Sequence, residues 1–187
     1  MSVRVRLLLV AAAGLSVASL ALPLWAVRMT APQYPDEALV LRVDRHGIGG
    51  DVREVQTLQQ YVGVRFPERM PELEWLPVAV LALAALLLAG AVAGPGSAGR
   101  ALRVGTAVLF VLFVAGSAAL VQKRLYDVGH HRDPNAPLTS VRSFTPPLVG
   151  PARVGNFTVW SFPHAGALAL LAAAALAGAG TRRQRTA

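Results

Sequence analysis

The sequence predicts an all-α membrane protein with four transmembrane helices, both termini in the cytoplasm and two loops on the outer face. Hydrophobic residues make up 54% of the 187 residues and are gathered into four blocks. Arginine-rich segments without acidic residues flank these blocks at one end, and aromatic residues flank them at the other. Both patterns are typical of helices that cross a bilayer, so the fold class follows from hydropathy, charge and aromatic placement together.

The first predicted span covers residues 7–27, which contain no charged residue. About 20 apolar residues are needed to cross a hydrocarbon core roughly 30 Å thick. A cleaved signal peptide is the alternative, because residues 1–6 are basic and Ser19–Ala21 resembles a cleavage site. The apolar run exceeds a typical signal-peptide core and continues through Trp25, so we favour an uncleaved anchor.

Three further spans are predicted at residues 76–94, 104–121 and 162–180. The last is rich in alanine and glycine, and Ala174 and Gly178 lie four residues apart. Small residues at this spacing let helices approach closely, which favours a position inside the bundle. A GC-rich genome would produce the same alanine-rich composition without any packing role.

Arginine placement gives the orientation. Residues 1–6, the turn 95–103 and the tail 181–187 hold seven arginines and no acidic residue, so the positive-inside rule places them in the cytoplasm. Trp25, Trp75, Tyr126 and Trp160 lie at the opposite ends of the predicted helices, where an aromatic belt forms. Residues 28–75 and 122–161 are then outer loops, and the predicted location is a bacterial inner membrane.

The two outer loops are predicted to pack together as a cap. In the first, Leu39–Val43 is a strand candidate, and Asp51 and Glu54 form a capping box in which Asp51 accepts from the Glu54 amide. The amphipathic helix that follows has apolar residues at helical spacing, Val52, Val55, Leu58 and Val62. The second loop is rich in proline and needs a packing partner to be ordered: Pro134, Pro137, Pro146, Pro147 and Pro151.

Metal-ligating candidates are confined to the outer side. The chain has no cysteine and three methionines, so imidazole and carboxylate are the available ligands, and these suit copper(II) or zinc. The predicted metal ligands are His130, His131, Asp133, His46 and His164. The alternative is a polar loop in which His130 caps the third helix and Asp133 pairs with Arg132. The cofactor stays open, with copper as the candidate.

Several function classes are disfavoured. The net charge of +8 suggests nucleic acid, but the arginines flank apolar blocks instead of clustering on one soluble face. The predicted spans contain no ionisable residue at mid-membrane, which argues against a proton-coupled transporter or pump. The sequence contains no nucleophile–base or metal-protease pattern, so we expect a non-enzyme whose surroundings are lipid and a protein partner.

A resemblance spans both outer loops, which make up about half the chain, and it rests on seven segments: Ala31–Pro35, Gly50–Val55, Leu58–Val64, Tyr126–His130, Asp133–Pro137, Phe144–Gly150 and Asn156–Pro163. Together they resemble a family of small four-helix bacterial membrane proteins encoded with the atypical, clade II nitrous oxide reductases (the NosB-type proteins). The family pattern has Asn-His where this chain has Gln59 and Gln60, and Met at Val64. The chain therefore lacks the imidazole and the thioether that the family pattern has at these positions, which argues against a copper site there.

The resemblance implies a non-catalytic accessory protein that supports assembly of, or electron delivery to, a periplasmic copper enzyme. Candidate partner-binding residues lie in the same segments: Tyr34, Asp51, Glu54, Tyr61, Tyr126, Pro146, Pro147 and Trp160. The alternative is a structural subunit of a larger bacterial membrane complex, whose loops clamp neighbouring subunits.

Overall fold

The described part of the chain contains both α-helices and a β-sheet. The computed structural model describes residues 2–31, 34–63, 70–131, 133, 135–137, 143–154 and 156–181, with the backbone alone at 34–36 and 58–62. Within these residues lie five helices and a five-stranded antiparallel sheet, a mixed α/β fold. In chain order the elements are α1 (Val3–Ser19), β1 (Trp25–Ala31), β2 (Tyr34–Asp44), β3 (Gly47–Gly50), α2 (Val52–Val62), α3 (Pro71–Val92), α4 (Ser97–His130), β4 (Gly150–Val154), β5 (Phe157–Pro163) and α5 (Ala165–Thr181).

The prediction of an all-α protein with four transmembrane spans is wrong. Within the described part of the chain, two helices, α3 and α4, are long and apolar enough to cross a membrane. Helices α1 and α5 have 17 residues each, which gives them lengths of about 26 Å. The predicted first span, residues 7–27, divides at Ser19 into a helix, a turn and the start of β1. The predicted fourth span, residues 162–180, begins inside β5.

The apolar run after α1 becomes a strand for local reasons. The amides of Leu20 and Ala21 donate to carbonyls three residues earlier, which tightens the last turn. Pro23 follows, and proline has no amide hydrogen to continue a helix. The amide of Leu24 then donates to the carbonyl oxygen of Val43 at 2.7 Å, so the chain enters the sheet immediately.

Four helices form a ring, in which α1 packs against α3 and α5, and α4 packs against the same two helices. Their buried side chains are mostly alanine and leucine, with Phe110 of α4 the largest. Leu9 of α1 is 1% exposed and lies between Gly90 of α3 and Gly180 of α5. A β-carbon added at Gly180 would meet the Leu9 side chain at 3.1 Å, so the small residues permit the close helix packing.

The outward surface of this ring is also apolar. All four helices expose large aliphatic side chains, among them Leu7, Val10, Val78, Leu81, Leu112 and Leu168. Only 17% of the most apolar stretch of α4 is buried within the protein. A bundle surrounded by water normally turns polar residues outward, so this surface differs from that of a soluble bundle.

The sheet is joined directly to α1 and α5. Its strand order is β3-β2-β1-β5-β4, with β1 at the centre. Trp25 pairs with Pro163 at the end next to the helices, and Thr30 pairs with Thr158 further out. The amides of His164 and Gly166 donate to the carbonyls of Leu24 and Pro23, which holds the start of α5 against the turn that follows α1.

The two faces of the sheet differ in composition, because alternate residues along each strand point to opposite sides. The inner face is apolar and partly or fully buried, with Val27, Leu41, Val159 and Phe157 among its members. The opposite side, which we call the outer face, carries exposed side chains that include Arg28, Arg42, Pro151, Arg153, Trp160 and Phe162.

In the described residues of the two predicted outer loops, the chain forms all or most of each strand of the sheet, and helix α2. The strand predicted at Leu39–Val43 lies within β2, and the helix predicted after Asp51 is α2. Val55 of α2 is 4% exposed, in agreement with the predicted apolar stripe; the Leu58 side chain lies outside the description. Gly63 follows α2 with φ +76°, a conformation that favours glycine at a helix end.

Candidate functional site

The end of α4 holds the predicted histidine pair. Helix α4 continues past Arg124, which is paired with Glu72 near the start of α3. The Nδ1–H of His130 donates to the Tyr126 carbonyl oxygen at 2.9 Å, and that of His131 to the Asp127 carbonyl oxygen at 3.0 Å. Each ring therefore caps a carbonyl at the helix end and keeps Nε2 as its free acceptor. This agrees with the alternative in which His130 is a helix cap.

The rings of Tyr126 and His130 stack with centroids 3.9 Å apart and planes 16° from parallel. The Tyr126 side chain is 49% exposed, and both histidines are exposed. The stack forms a flat aromatic surface at the end of α4, which suits contact with a partner better than enclosure of a ligand.

The proline-rich segment 143–149 packs along the same part of α4. The Gln122 side-chain amide donates to the Pro146 carbonyl oxygen at 3.4 Å, and the Phe144 amide donates to the Gly129 carbonyl oxygen at 3.4 Å. A β-carbon at Gly129 would overlap the Phe144 carbonyl oxygen, so this close approach requires glycine. Pro146 and Pro147 are half-buried and serve mainly as packing surface.

Asp133 connects helix α2 with the segment that follows α4. Its amide donates to the Gly63 carbonyl oxygen at 2.8 Å, which ties the end of α2 to the chain after α4. Its Oδ1 accepts from the Asn135 amide at 2.9 Å, an arrangement typical of an Asx turn. The predicted partner of Asp133, Arg132, lies outside the described residues.

His46 and His164 lie at other places in the fold. His46 is exposed in the turn between β2 and β3, where its Nε2 accepts from Nε–H of Arg45 at 3.0 Å. His164 is the half-buried residue between β5 and α5, and its Nδ1 is buried without a hydrogen-bond partner in the described structure. The five proposed ligands thus come from three regions: the end of α4, the β2–β3 turn and the β5–α5 junction.

Among the described residues, no three histidine or acidic side chains converge into a group that could hold a metal ion. Protein zinc sites use at least three side-chain ligands. The metal site assigned to His130, His131, Asp133, His46 and His164 therefore stays a prediction. Of these residues, only His130 and His131 lie together, as sequence neighbours at the end of α4.

The predicted partner-binding residues fall into different environments. Trp160 is 48% exposed on the outer face of the sheet, and Glu54 is exposed on α2. The carboxylate of Asp51 accepts from the Val40 amide of β2 at 2.7 Å; the predicted bond from the Glu54 amide is not among those of the described residues. The side chains of Tyr34 and Tyr61 lie outside the description.

The outer face of the sheet is not among the predicted sites. Arg28 was assigned to the start of a loop, and Arg42 and Arg153 to loops without a common surface. The alternation of Val27, Arg28, Met29 and Thr30 is a strand pattern that would have separated these residues from the preceding helix. No known protein family, curated protein or solved structure matches the chain.

Proposed function

We propose that this chain is a protein of the bacterial cytoplasmic membrane whose helical ring lies in the bilayer, with α3 and α4 as the crossing helices. Support comes from the exposed apolar side chains on the outside of the ring. On α4, Arg103 and Lys123 are 20 residues apart and bracket an uncharged stretch, which measures about 30 Å along a helix and matches a hydrocarbon core of roughly 30 Å.

Charged contacts support both ends of this assignment. The Arg103 side chain donates to the carbonyls of Gly90 and Gly94, near the end of α3, each at 3.4 Å. At the other end Arg124 pairs with Glu72. Arginines without acidic neighbours mark the end away from the sheet, and by the positive-inside rule that end faces the cytoplasm. The sheet then projects into the periplasm.

The proposed role is that of a non-catalytic accessory protein which holds a periplasmic protein partner at the membrane surface. One observation carries this proposal: strand β1 follows α1 in the chain, and its neighbour β5 leads into α5. The sheet is therefore held at a fixed position above the bundle, where a partner can bind it. A periplasmic copper enzyme of the nitrous oxide reductase type is our choice of partner, and this choice rests on the resemblance in the loop segments alone.

Expression with the reductase genes in a denitrifying host tests the proposal. We expect the tagged chain to stay in the membrane after alkaline carbonate washing and to retain the copper enzyme in mild detergent. As a control, Arg53→Ala changes an exposed charge on α2 without touching the membrane segments. Release of the chain by carbonate would refute the membrane assignment. Retention in the membrane without the copper enzyme would refute the partner.

A structural subunit of a larger membrane complex is the second candidate function. The apolar surface of α4 favours it, because companion helices would cover that surface as well as lipid does. In that case purification in mild detergent should yield other membrane subunits at fixed stoichiometry, and a chain that purifies alone would exclude this role.

A further inference from the structure

The outer face of the sheet combines arginine and aromatic side chains in the way that protein-binding surfaces do. Arg28 of β1 lies directly opposite Trp160 of β5, and Phe162 lies two residues further along the same strand. Arg42 of β2 and Arg153 of β4 flank them on either side. Tryptophan and arginine are the residues most enriched at the energetic centres of protein interfaces.

Positive charge is in excess on this face. All three arginines are exposed, and in the described part of the chain none of them forms an ion pair. Asp44, two residues after Arg42 on the same side of β2, adds one negative charge to this face, and its carboxylate accepts from the His46 amide at 2.7 Å. A surface with three guanidinium groups and no paired carboxylate attracts a negatively charged partner and repels a second copy of itself.

The arrangement along the strands favours a protein over lipid headgroups. On the outer face, Arg42 lies with Ala26 in the row of paired residues of β1 and β2 closest to the helices. Arg28 lies in the next row of that face, two residues further along β1. Arg153 pairs with Thr158, four residues beyond Phe162 on β5, which places it about 13 Å further from the helical ring. Lipid headgroups around the ring would reach the first row, which contains Arg42. A folded protein partner would cover all three arginines.

We infer that the outer face is the docking surface for an acidic protein partner, with Trp160 at its centre and Arg28, Arg42 and Arg153 around it. The inference rests on the proposed function, since it names the surface by which the accessory protein would hold its partner. The four strands from β2 to β4 are about 14 Å wide together, a footprint that fits a small, reversible interface.

The test uses the full chain in nanodiscs of uncharged phosphatidylcholine, with labelled polyglutamate as the probe and polylysine as its control. We expect polyglutamate to bind and polylysine not to bind. The double variant Arg28→Ala/Arg42→Ala should bind polyglutamate about 3- to 10-fold more weakly, since exposed ion pairs are individually weak. The matched double variant Arg53→Ala/Lys123→Ala removes the same charge from exposed positions elsewhere and should change binding less than twofold.

The variant Arg153→Ala distinguishes a protein partner from lipid headgroups, because Arg153 is the arginine furthest from the helices. Weaker polyglutamate binding by Arg153→Ala supports the docking surface. Equal polyglutamate binding by wild type and Arg28→Ala/Arg42→Ala would overturn the docking surface. It would also be overturned if phosphatidylglycerol copurified with wild type and were lost only from that double variant. Membrane retention is measured for every variant, so a failed docking surface leaves the membrane assignment standing and is distinguished from its failure.

Discussion

Replacement of Leu112 by aspartate tests directly whether lipid covers the outside of the helical ring. The Leu112 side chain is 62% exposed on α4. It lies nine residues after Arg103 and twelve before Arg124, which places it about 14 Å and 18 Å from the two charged ends. Leu112→Asp therefore introduces a carboxylate close to the middle of the proposed membrane segment.

The expected effect differs sharply between lipid and water. At the centre of a crossing helix an aspartate costs about 2.5–3.5 kcal/mol of insertion free energy, a change of about 60- to 300-fold in the equilibrium. On a surface exposed to water, a substitution of this kind changes the free energy of unfolding by about 0.5 kcal/mol or less. The difference is large enough for the two environments to be distinguished by one substitution.

Carbonate extraction and size-exclusion chromatography in detergent provide the assay. Val149→Asp is the control, because Val149 is 58% exposed in the segment before β4 and lies beside the sheet. We expect Leu112→Asp to reduce the membrane-integrated fraction strongly and Val149→Asp to leave it unchanged. If Leu112→Asp instead yields a folded, monodisperse protein in buffer without detergent, the ring does not lie in lipid and the reasoning from exposed apolar surface fails.

Three further predictions concern packing and metal. Phe110 is fully buried, so Phe110→Ala should lower the free energy of unfolding by about 3–5 kcal/mol; an unchanged thermal midpoint in detergent would contradict the packing described. Gly129→Ala should speed exchange of the amides of Phe144, Thr145, Leu148 and Val149, whereas Gly116→Ala, on the same helix with open space at its β-carbon, should not; equal exchange in both would show that the segment does not contact α4. His130→Ala should reduce any copper or zinc bound by the purified protein, and metal analysis that finds none in either form would remove the predicted site.

Hydropathy located the helices but not their ends. The predicted span at residues 104–121 lies inside α4, whereas the predicted span at 76–94 overlaps α3 and ends two residues beyond it. Helix α4 extends well beyond the predicted bounds, because Gln122, Lys123 and Arg124 continue the helix after the apolar residues stop. Periodicity also located α2, since an amphipathic stripe is a local property of the chain.

The sheet could not be predicted because its pairing is not local. Trp25 pairs with Pro163, 138 residues away in sequence, and nothing near either residue indicates its partner. Residues 20–27 are apolar whether they continue a helix or enter a strand. Hydropathy alone therefore assigns them to the same predicted span as α1. The candidate site was predicted where side chains are neighbours in sequence, as at His130 and His131, and was missed on the outer face, whose residues come from four different strands.

The position of β1 at the centre of the sheet has a consequence for biosynthesis. Strands β2 and β3 emerge from the ribosome soon after β1, but the other neighbour of β1 ends at Pro163, 113 residues after β3 ends at Gly50. At translation rates of about 5–20 residues per second, this interval lasts about 6 to 23 s. Throughout it, β1 presents an open edge to any other extended chain. Completion of the sheet must therefore wait until nearly the whole chain has been made, and a translocating chain that stalled before β5 would leave a pairing-competent edge at the membrane surface.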